Sequence, residues 1–311
     1  QPRSSLSNLI DLTVRTEYAI SKPRDYRGNA VMSQKTILIT GCSSGIGHDA
    51  AHELHRRGWR VFATCRKAED AVRLESEGLE SWALDYADEA SVAAGAAEAL
   101  SRCDGKLDAL FNNGAYALPG PMEDVPRDGL RAIFEANVLG PHQLTAAVLP
   151  AMRAAGSGRV INCSSVLGMV GVPYRGPYNA TKFALEGMTD TLRRELTDSP
   201  IHIILIEPGP IRTPFRRNAR GPFERWMKPQ REGSSHPQHM WDEVERRLYK
   251  DKKKNAKFEL PPSAVTAKLV RALEADSPKP RYFVTTPTYG ADVLRRVLST
   301  RMLDRVIGGR Q

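Results

Sequence analysis

A short apolar segment at residues 35–40 runs directly into Gly41-Cys42-Ser43-Ser44-Gly45-Ile46-Gly47, and Ile46, Ala50 and Leu54 then recur at helical spacing. Strand, glycine-rich turn and helix in that order leave few folds open. Glycine permits a tight turn and lets backbone come close to a phosphate, while the start of a helix offers an anion N–H groups that lack intrahelical partners. Gly41, Ser43, Ser44, Gly45, Ile46 and Gly47 are therefore candidate contacts for a dinucleotide. His48, His52 and His55 share the helix face opposite Ile46, Ala50 and Leu54. That is the solvated side, with no acid or thiol expected beside it, so no metal site is anticipated.

Further strands are expected at residues 60–64, 81–85, 107–111, 159–163, 201–206 and 282–285, with helices at 130–154, 180–196 and 261–275 among those between them. Strands alternating with helices seven times call for an α/β fold, a doubly wound parallel sheet covered on both faces. A chain of 311 residues, 41% of them hydrophobic, can bury one large core. The expected organisation is a loosely ordered polar extension over residues 1–31 and a single Rossmann-like domain over 32–288 carrying a lid insertion at 214–258. A basic amphipathic helix over 289–311 completes it.

Four cysteines, Cys42, Cys65, Cys103 and Cys163, show no CxxC spacing and suit reduced thiols in a cytoplasmic protein. No run of eighteen apolar residues is present. The net charge of +9 is concentrated between residues 212 and 257 and in the C-terminal arginines. Such an excess attracts nucleic acid, anionic membrane or a phosphorylated cofactor alike. The lysines at 250, 252, 253, 254 and 257 come with no base-reading or stacking module, so nucleic acid is not the expected partner.

Chemistry enters with Tyr178 and Lys182, one helical turn apart and on one face. A fixed ammonium beside a phenol favours the phenolate and makes it a proton donor for a carbonyl oxygen. Two other tyrosines, Tyr18 and Tyr249, also stand four residues before a lysine, in a polar arm and a lysine run. Tyr178 instead follows an apolar strand that ends in Ser164-Ser165, with Ser165 thirteen residues before it. This stretch resembles the active site of the short-chain dehydrogenase/reductase family, and the Thr40-to-Gly47 turn resembles that family's cofactor fingerprint.

The resemblance, which spans about residues 35–213 and more weakly to 285, implies strand order 3-2-1-4-5-6-7 and hydride exchange with a nicotinamide cofactor. It implies catalytic roles for Asn137, Ser165, Tyr178 and Lys182, with the asparagine anchoring a water behind the lysine and the lysine also bonding the nicotinamide ribose. Asp85 corresponds to the position facing adenine. Asn112-Asn113-Gly114-Ala115 stands where the family usually has NNAG, giving Asn112 and Gly114 as cofactor contacts. Pro208, Gly209, Ile211 and Thr213 match the loop that holds the carboxamide. The second strand ends in Cys65-Arg66-Lys67 where an NAD-preferring relative carries an acid. Arg66 suits a 2′-phosphate, so NADP(H) is the expected cofactor.

Phe215, Phe223, Trp226, Met227, Met240 and Trp241 punctuate the segment after this loop and are expected to cover an apolar substrate. Within the family, the glycine turn, the Arg66 turn and Ile206-Glu207-Pro208-Gly209 look like the hydroxysteroid, retinol and aldehyde reductase branch, implying a bulky apolar carbonyl or alcohol. The helix at residues 291–307 can cover the substrate cleft, meet a second copy in a homodimer, or lie on a membrane surface. A catalytically weak NADP-binding redox sensor of the same fold is the alternative function.

Overall fold

A computed structural model describes residues 34–250 and 258–308. The expectations placed on residues 1–31, on the Tyr18 pair, on Lys252, Lys253, Lys254 and Lys257, and on 309–311 lie outside the described residues. The described residues from Lys35 onward form one compact unit.

The first half runs β1 (Thr36–Ile39), α1 (Gly45–Arg56), β2 (Arg60–Cys65), α2 (Ala68–Ser76), β3 (Glu80–Ala83), α3 (Glu89–Arg102) and β4 (Ala109–Asn112). There follow α4 (Arg127–Phe134), α5 (Gly140–Ala155), β5 (Gly158–Cys163), α6 (Gly176–Glu195) and β6 (Ile201–Glu207). The chain continues through α7 (Phe215–Asn218), α8 (Arg220–Pro222), α9 (Gln238–Tyr249), α10 (Ser263–Glu274), β7 (Arg281–Phe283), α11 (Thr286–Val297) and α12 (Thr300–Ile307). All seven strands pair in parallel in the order β3-β2-β1-β4-β5-β6-β7, as the resemblance implied.

Alternation along each strand builds the three layers. In β1, Ile37 and Ile39 face one way and join Leu54 of α1, Leu74 of α2 and Leu269 of α10 in one core. Leu38 faces the other way, into a core with Val92 of α3 and Leu144 and Val148 of α5. Each such fully buried aliphatic side chain contributes roughly 1.5–3 kcal/mol. Because all strands run the same way, their C-terminal ends share one edge, and the chain reverses its winding between β1 and β4. A crevice at that switch point is where an open parallel sheet receives a ligand.

Two expected helices are each broken. The one at residues 130–154 divides into α4, a π-turn at Glu135–Leu139, and α5. Pro141 has no N–H, so the carbonyl of Asn137 lacks the donor an α-helix would supply four residues on, and the turn widens. The one at 291–307 divides at Leu298 and Ser299, both with extended backbone, into α11 and α12. No helix among the described residues is long and apolar enough to cross a membrane.

A third core lies apart from the sheet. Phe223, Met227, Trp241, Val244 and Leu248 pack with Leu118, Ile133 and Tyr178. The segment after β6 thus folds into a helical cap with Phe223, Met227 and Trp241 interior and Phe215, Trp226 and Met240 half-buried.

Candidate active site

Pro177 in the first turn of α6 fixes the start of that helix, and the next residue is Tyr178. Lys182 is 3% exposed and donates from Nζ to the carbonyl of Cys163, at the end of β5, at 2.7 Å. Its ammonium lies 5.6 Å from the centre of the Tyr178 ring. Ser165, just beyond β5, accepts a bond from the Leu167 N–H at 3.1 Å, and its hydroxyl is near enough to the Tyr178 phenol to favour the phenolate. The fold therefore brings Ser165, Tyr178 and Lys182 together at the C-terminal edge of the sheet. Phe215 stands edge-on to the Tyr178 ring, with the ring centres 5.3 Å apart.

The electrostatics differ from the sequence expectation. Burial pushes the Tyr178 phenol above its ordinary range, with the nearby Ser165 hydroxyl opposing. Burial likewise pulls Lys182 down. The ammonium is committed to Cys163 and too far from the phenol to outweigh desolvation in the free chain.

Asn137 sits in the π-turn with its amide committed to Tyr116 and Thr181. Its Oδ1 accepts from the Tyr116 N–H at 3.0 Å, and its Nδ2 donates to the Tyr116 carbonyl at 2.8 Å and to Thr181 Oγ1 at 3.2 Å. The side chain pins the loop after β4, leaving its own backbone carbonyl as the group widened out of the helix.

The glycine turn fits a dinucleotide on its own geometry. Gly41 and Gly45 have φ of +70° and +64°, and a Cβ on Gly41 would meet Gly114 Cα at 2.8 Å. One on Gly45 would meet Thr213 Cγ2 at 2.9 Å, so the glycine turn and the loop after β6 touch across the crevice. Ser44 caps α1 without a side-chain bond, and α1 has no acid in its first turn. The N–H groups there remain available to an anion. Arg73 of α2, not singled out by sequence, holds the Ser43 carbonyl at 2.7 Å.

Arg66 is exposed and makes no ion pair among the described residues, whereas Lys67 pairs with Glu69 at 3.0 Å. Asp85 accepts the Ala87 N–H at 3.0 Å. Burial pushes the nearby Tyr116 phenol up to about 12, opposed by the charges of Arg66 and of Arg225 in the cap. The amide of Asn112 points into the sheet. Tyr86 bonds Thr40 Oγ1 at 2.8 Å and donates to Asn112 Oδ1 at 2.6 Å. Asn112 Nδ2 donates to Thr145 Oγ1 and Asn162 Oδ1 at 2.9 and 2.8 Å, and Asn162 Nδ2 to Thr189 Oγ1 at 2.9 Å. Gly114 supplies the close approach, and its N–H donates to Thr40 Oγ1 at 3.1 Å.

The loop after β6 is anchored at both ends. Pro208 accepts the Val166 N–H at 2.8 Å, Ile211 bridges to Leu260, and a Cβ on Gly209 would strike Thr285 Oγ1. Beneath it, fully buried Glu207 and nearly buried Glu186 both accept from Arg281 Nη1, whose Nη2 donates to both oxygens of Asp190 at 2.8 Å. Sequence reading missed this cluster, although Glu186 stands one turn beyond Lys182 and Glu207 directly precedes Pro208. An open cleft of about 910 Å³ beside α1 is bordered by Gly45, His48, His52, Arg212, Pro214 and Thr266, and it does not reach Tyr178.

Similarity to known proteins identifies the family. The family model for short chain dehydrogenase matches residues 35–222. An uncharacterized oxidoreductase of Escherichia coli K12, YbbO, is 40% identical over 276 residues, covering 89% of this chain and 95% of its own. Human 17-beta-hydroxysteroid dehydrogenase type 1 is 33% identical over 266 residues, covering 82% and 78%. An NADPH-dependent 3-dehydrocapnine reductase of Ornithobacterium rhinotracheale is 33% identical over 278 residues, covering 86% and 94%. With a doubly wound sheet, a glycine cradle at its switch point and Ser165, Tyr178 and Lys182 gathered beside it, the chain belongs to the short-chain dehydrogenase family of oxidoreductases, in the company of hydroxysteroid and retinol dehydrogenases.

Proposed function

We propose that the protein is an NADP(H)-dependent reductase of bulky apolar aldehydes or ketones, working in reverse on the matching alcohols. The observation that carries this reading is Tyr178, with Ser165 beside its phenol, under a cap that sets Phe215 edge-on to its ring and shares one apolar core with it. A carbonyl placed there meets one proton donor, one hydrogen-bond donor and apolar walls.

The residues present fit a nicotinamide dinucleotide. Gly41, Ser43, Ser44, Gly45, Ile46 and Gly47 would hold its phosphates, Asp85 and Gly114 would line the path to the adenosine, and Asn112 would support that path from within the sheet. Pro208, Gly209, Ile211 and Thr213 would hold the carboxamide. When bound, the cofactor supplies or accepts the hydride. Tyr178 gives its proton to the carbonyl oxygen, Ser165 donates to that oxygen as charge builds on it, and Lys182 holds the ribose while countering the charge left on the phenolate. Asn137 completes the route for proton resupply through its freed carbonyl.

Arg66 supports NADP(H) over NAD(H), since it is exposed, uncommitted and positioned after β2, and one relative is named as NADPH-dependent. Four buried free thiols support a reducing compartment such as the cytoplasm. The exposed Val293, Val297, Met302 and Val306 of α11 and α12 support a homodimer. The test is consumption of NADPH or NADH with a panel of long-chain aldehydes, retinals and ketosteroids. Turnover confined to small polar carbonyls, or none with either cofactor, would overturn the reading.

A further inference from the structure

His48 and His52 lie one turn apart on α1, their ring centroids 4.4 Å apart. The fold supplies the acid that sequence reading did not find beside them. Glu77, the residue that closes α2, brings Oε2 to 2.9 Å from His48 Nε2 and 2.7 Å from His52 Nε2. One donor atom from each of the three residues lies within 4.8 Å of the others. Two imidazole nitrogens and a carboxylate oxygen meeting at one point form a donor set that binds zinc.

The surroundings suit a ligand set and not merely a pair of surface hydrogen bonds. Glu77 Oε1 accepts from Arg73 Nη1 at 2.8 Å, which fixes the carboxylate from behind. A ligand oriented by an outer hydrogen bond is arranged before the ion arrives. Arg73 in turn bonds Asp70 at 3.1 Å and the Ser43 carbonyl at 2.7 Å, so the carboxylate is tied to the glycine turn. Side-chain exposures of 35%, 36% and 28% leave the meeting point open, and both histidines border the cleft beside α1. An ion therefore has an entry path and a position left for water.

We infer that His48, His52 and Glu77 form a site for one divalent transition ion, zinc by its donor set, which clips α1 to α2. Zinc at its usual bond lengths sets tetrahedral ligands about 3.4 Å apart, so the two present contacts widen by about half an ångström. Each Nε2 gives its lone pair to the ion, so a neutral ring carries its hydrogen on Nδ1 and only a protonated ring releases one proton to solvent. None of the three residues is shared with Ser165, Tyr178 and Lys182, and the role is structural.

The test titrates the full chain, stripped with chelator, with Zn2+ alone by calorimetry and with Co2+ alone by visible absorption. One ion per chain and a tetrahedral Co2+ spectrum are expected. Affinity should fall at least about tenfold in each of His48→Gln, His52→Gln and Glu77→Gln, and stay unchanged in His55→Gln, whose side chain is exposed on the same helix. In the unsubstituted chain, Zn2+ should shield His48 and His52, but not His55, from diethyl pyrocarbonate, read by mass spectrometry. That second measurement stands even where a variant misfolds. Absence of Zn2+ binding, binding that survives the three substitutions, or equal shielding of His55 overturns the site.

Discussion

Replacing Gly45 with alanine tests the close contact between the glycine turn and the loop after β6. Gly45 has φ of +64°, and for an alanine this left-handed backbone costs about 1–2 kcal/mol. Its new Cβ would also lie 2.9 Å from Thr213 Cγ2 and 3.1 Å from Thr213 Cβ, so one of the two loops must give. Overpacking of this kind costs about 1–3 kcal/mol more. Gly58 provides the control, since it has φ of +87° with nothing within 4 Å of an added Cβ and isolates the backbone cost. Gly58→Ala should thus lose about 1–2 kcal/mol and Gly45→Ala about 2–5 kcal/mol in urea denaturation. If the strain is relieved by parting the loops, NADPH affinity in Gly45→Ala should drop by about five- to a hundredfold while Gly58→Ala stays near wild type, by fluorescence titration. Equal losses of stability in the two variants, with unchanged affinity in both, would refute the contact.

Tyr178→Phe should cut single-turnover NADPH oxidation by about a hundredfold or more while leaving NADPH affinity intact; turnover near wild type would remove the phenol from the mechanism. Arg66→Asp should lower the ratio of kcat/KM for NADPH over NADH by about a hundredfold, chiefly through the KM for NADPH, and an unchanged ratio would make Arg66 an ordinary surface turn. Burial, with the Glu186 charge beside it, pushes the Glu207 carboxyl up to about 8 from 4.5. The folded chain then holds that proton more tightly than the unfolded one, so the associated stability is full below about pH 4.5, declines as pH rises, and is gone above about pH 8. Glu207→Gln should flatten this limb in urea midpoints taken from acid to alkaline pH, whereas curves parallel to wild type would show that Glu207 does not hold the proton.

What was legible in the sequence was local or periodic. Apolar runs such as residues 201–206 and the switch to helical spacing after Gly47 located the sheet and its first helix. The tyrosine's distance from Ser165 marked the catalytic edge. What was not legible depends on partners far along the chain. Glu77 meets His48 and His52 only because α1 and α2 pack side by side. Arg281 meets Glu186 and Glu207 only because β7 pairs with β6. Trp241 and Phe223 carry no periodic signal that tells a self-packed cap from a ligand-lined pocket, and the structure has them in contact with each other. The π-turn was within reach of sequence, because Pro141 removes a donor four residues after Asn137.

The hydrogen-bonded run from Thr40 through Tyr86, Asn112 and Asn162 to Thr189 crosses the middle of the sheet. It spans the pairing of β1 with β4, the seam where the chain's connections leave in opposite directions. Every member is buried, so cutting one link strands a polar group without water, a penalty of about 1–3 kcal/mol and not the loss of a single modest bond. The seam is thereby cross-stitched, and the cofactor-binding half and the catalytic half should open as one cooperative unit. Amides of β1, β4 and β5 would then exchange their hydrogens together, and a Tyr86→Phe chain, its stitch cut, would let β1 exchange first.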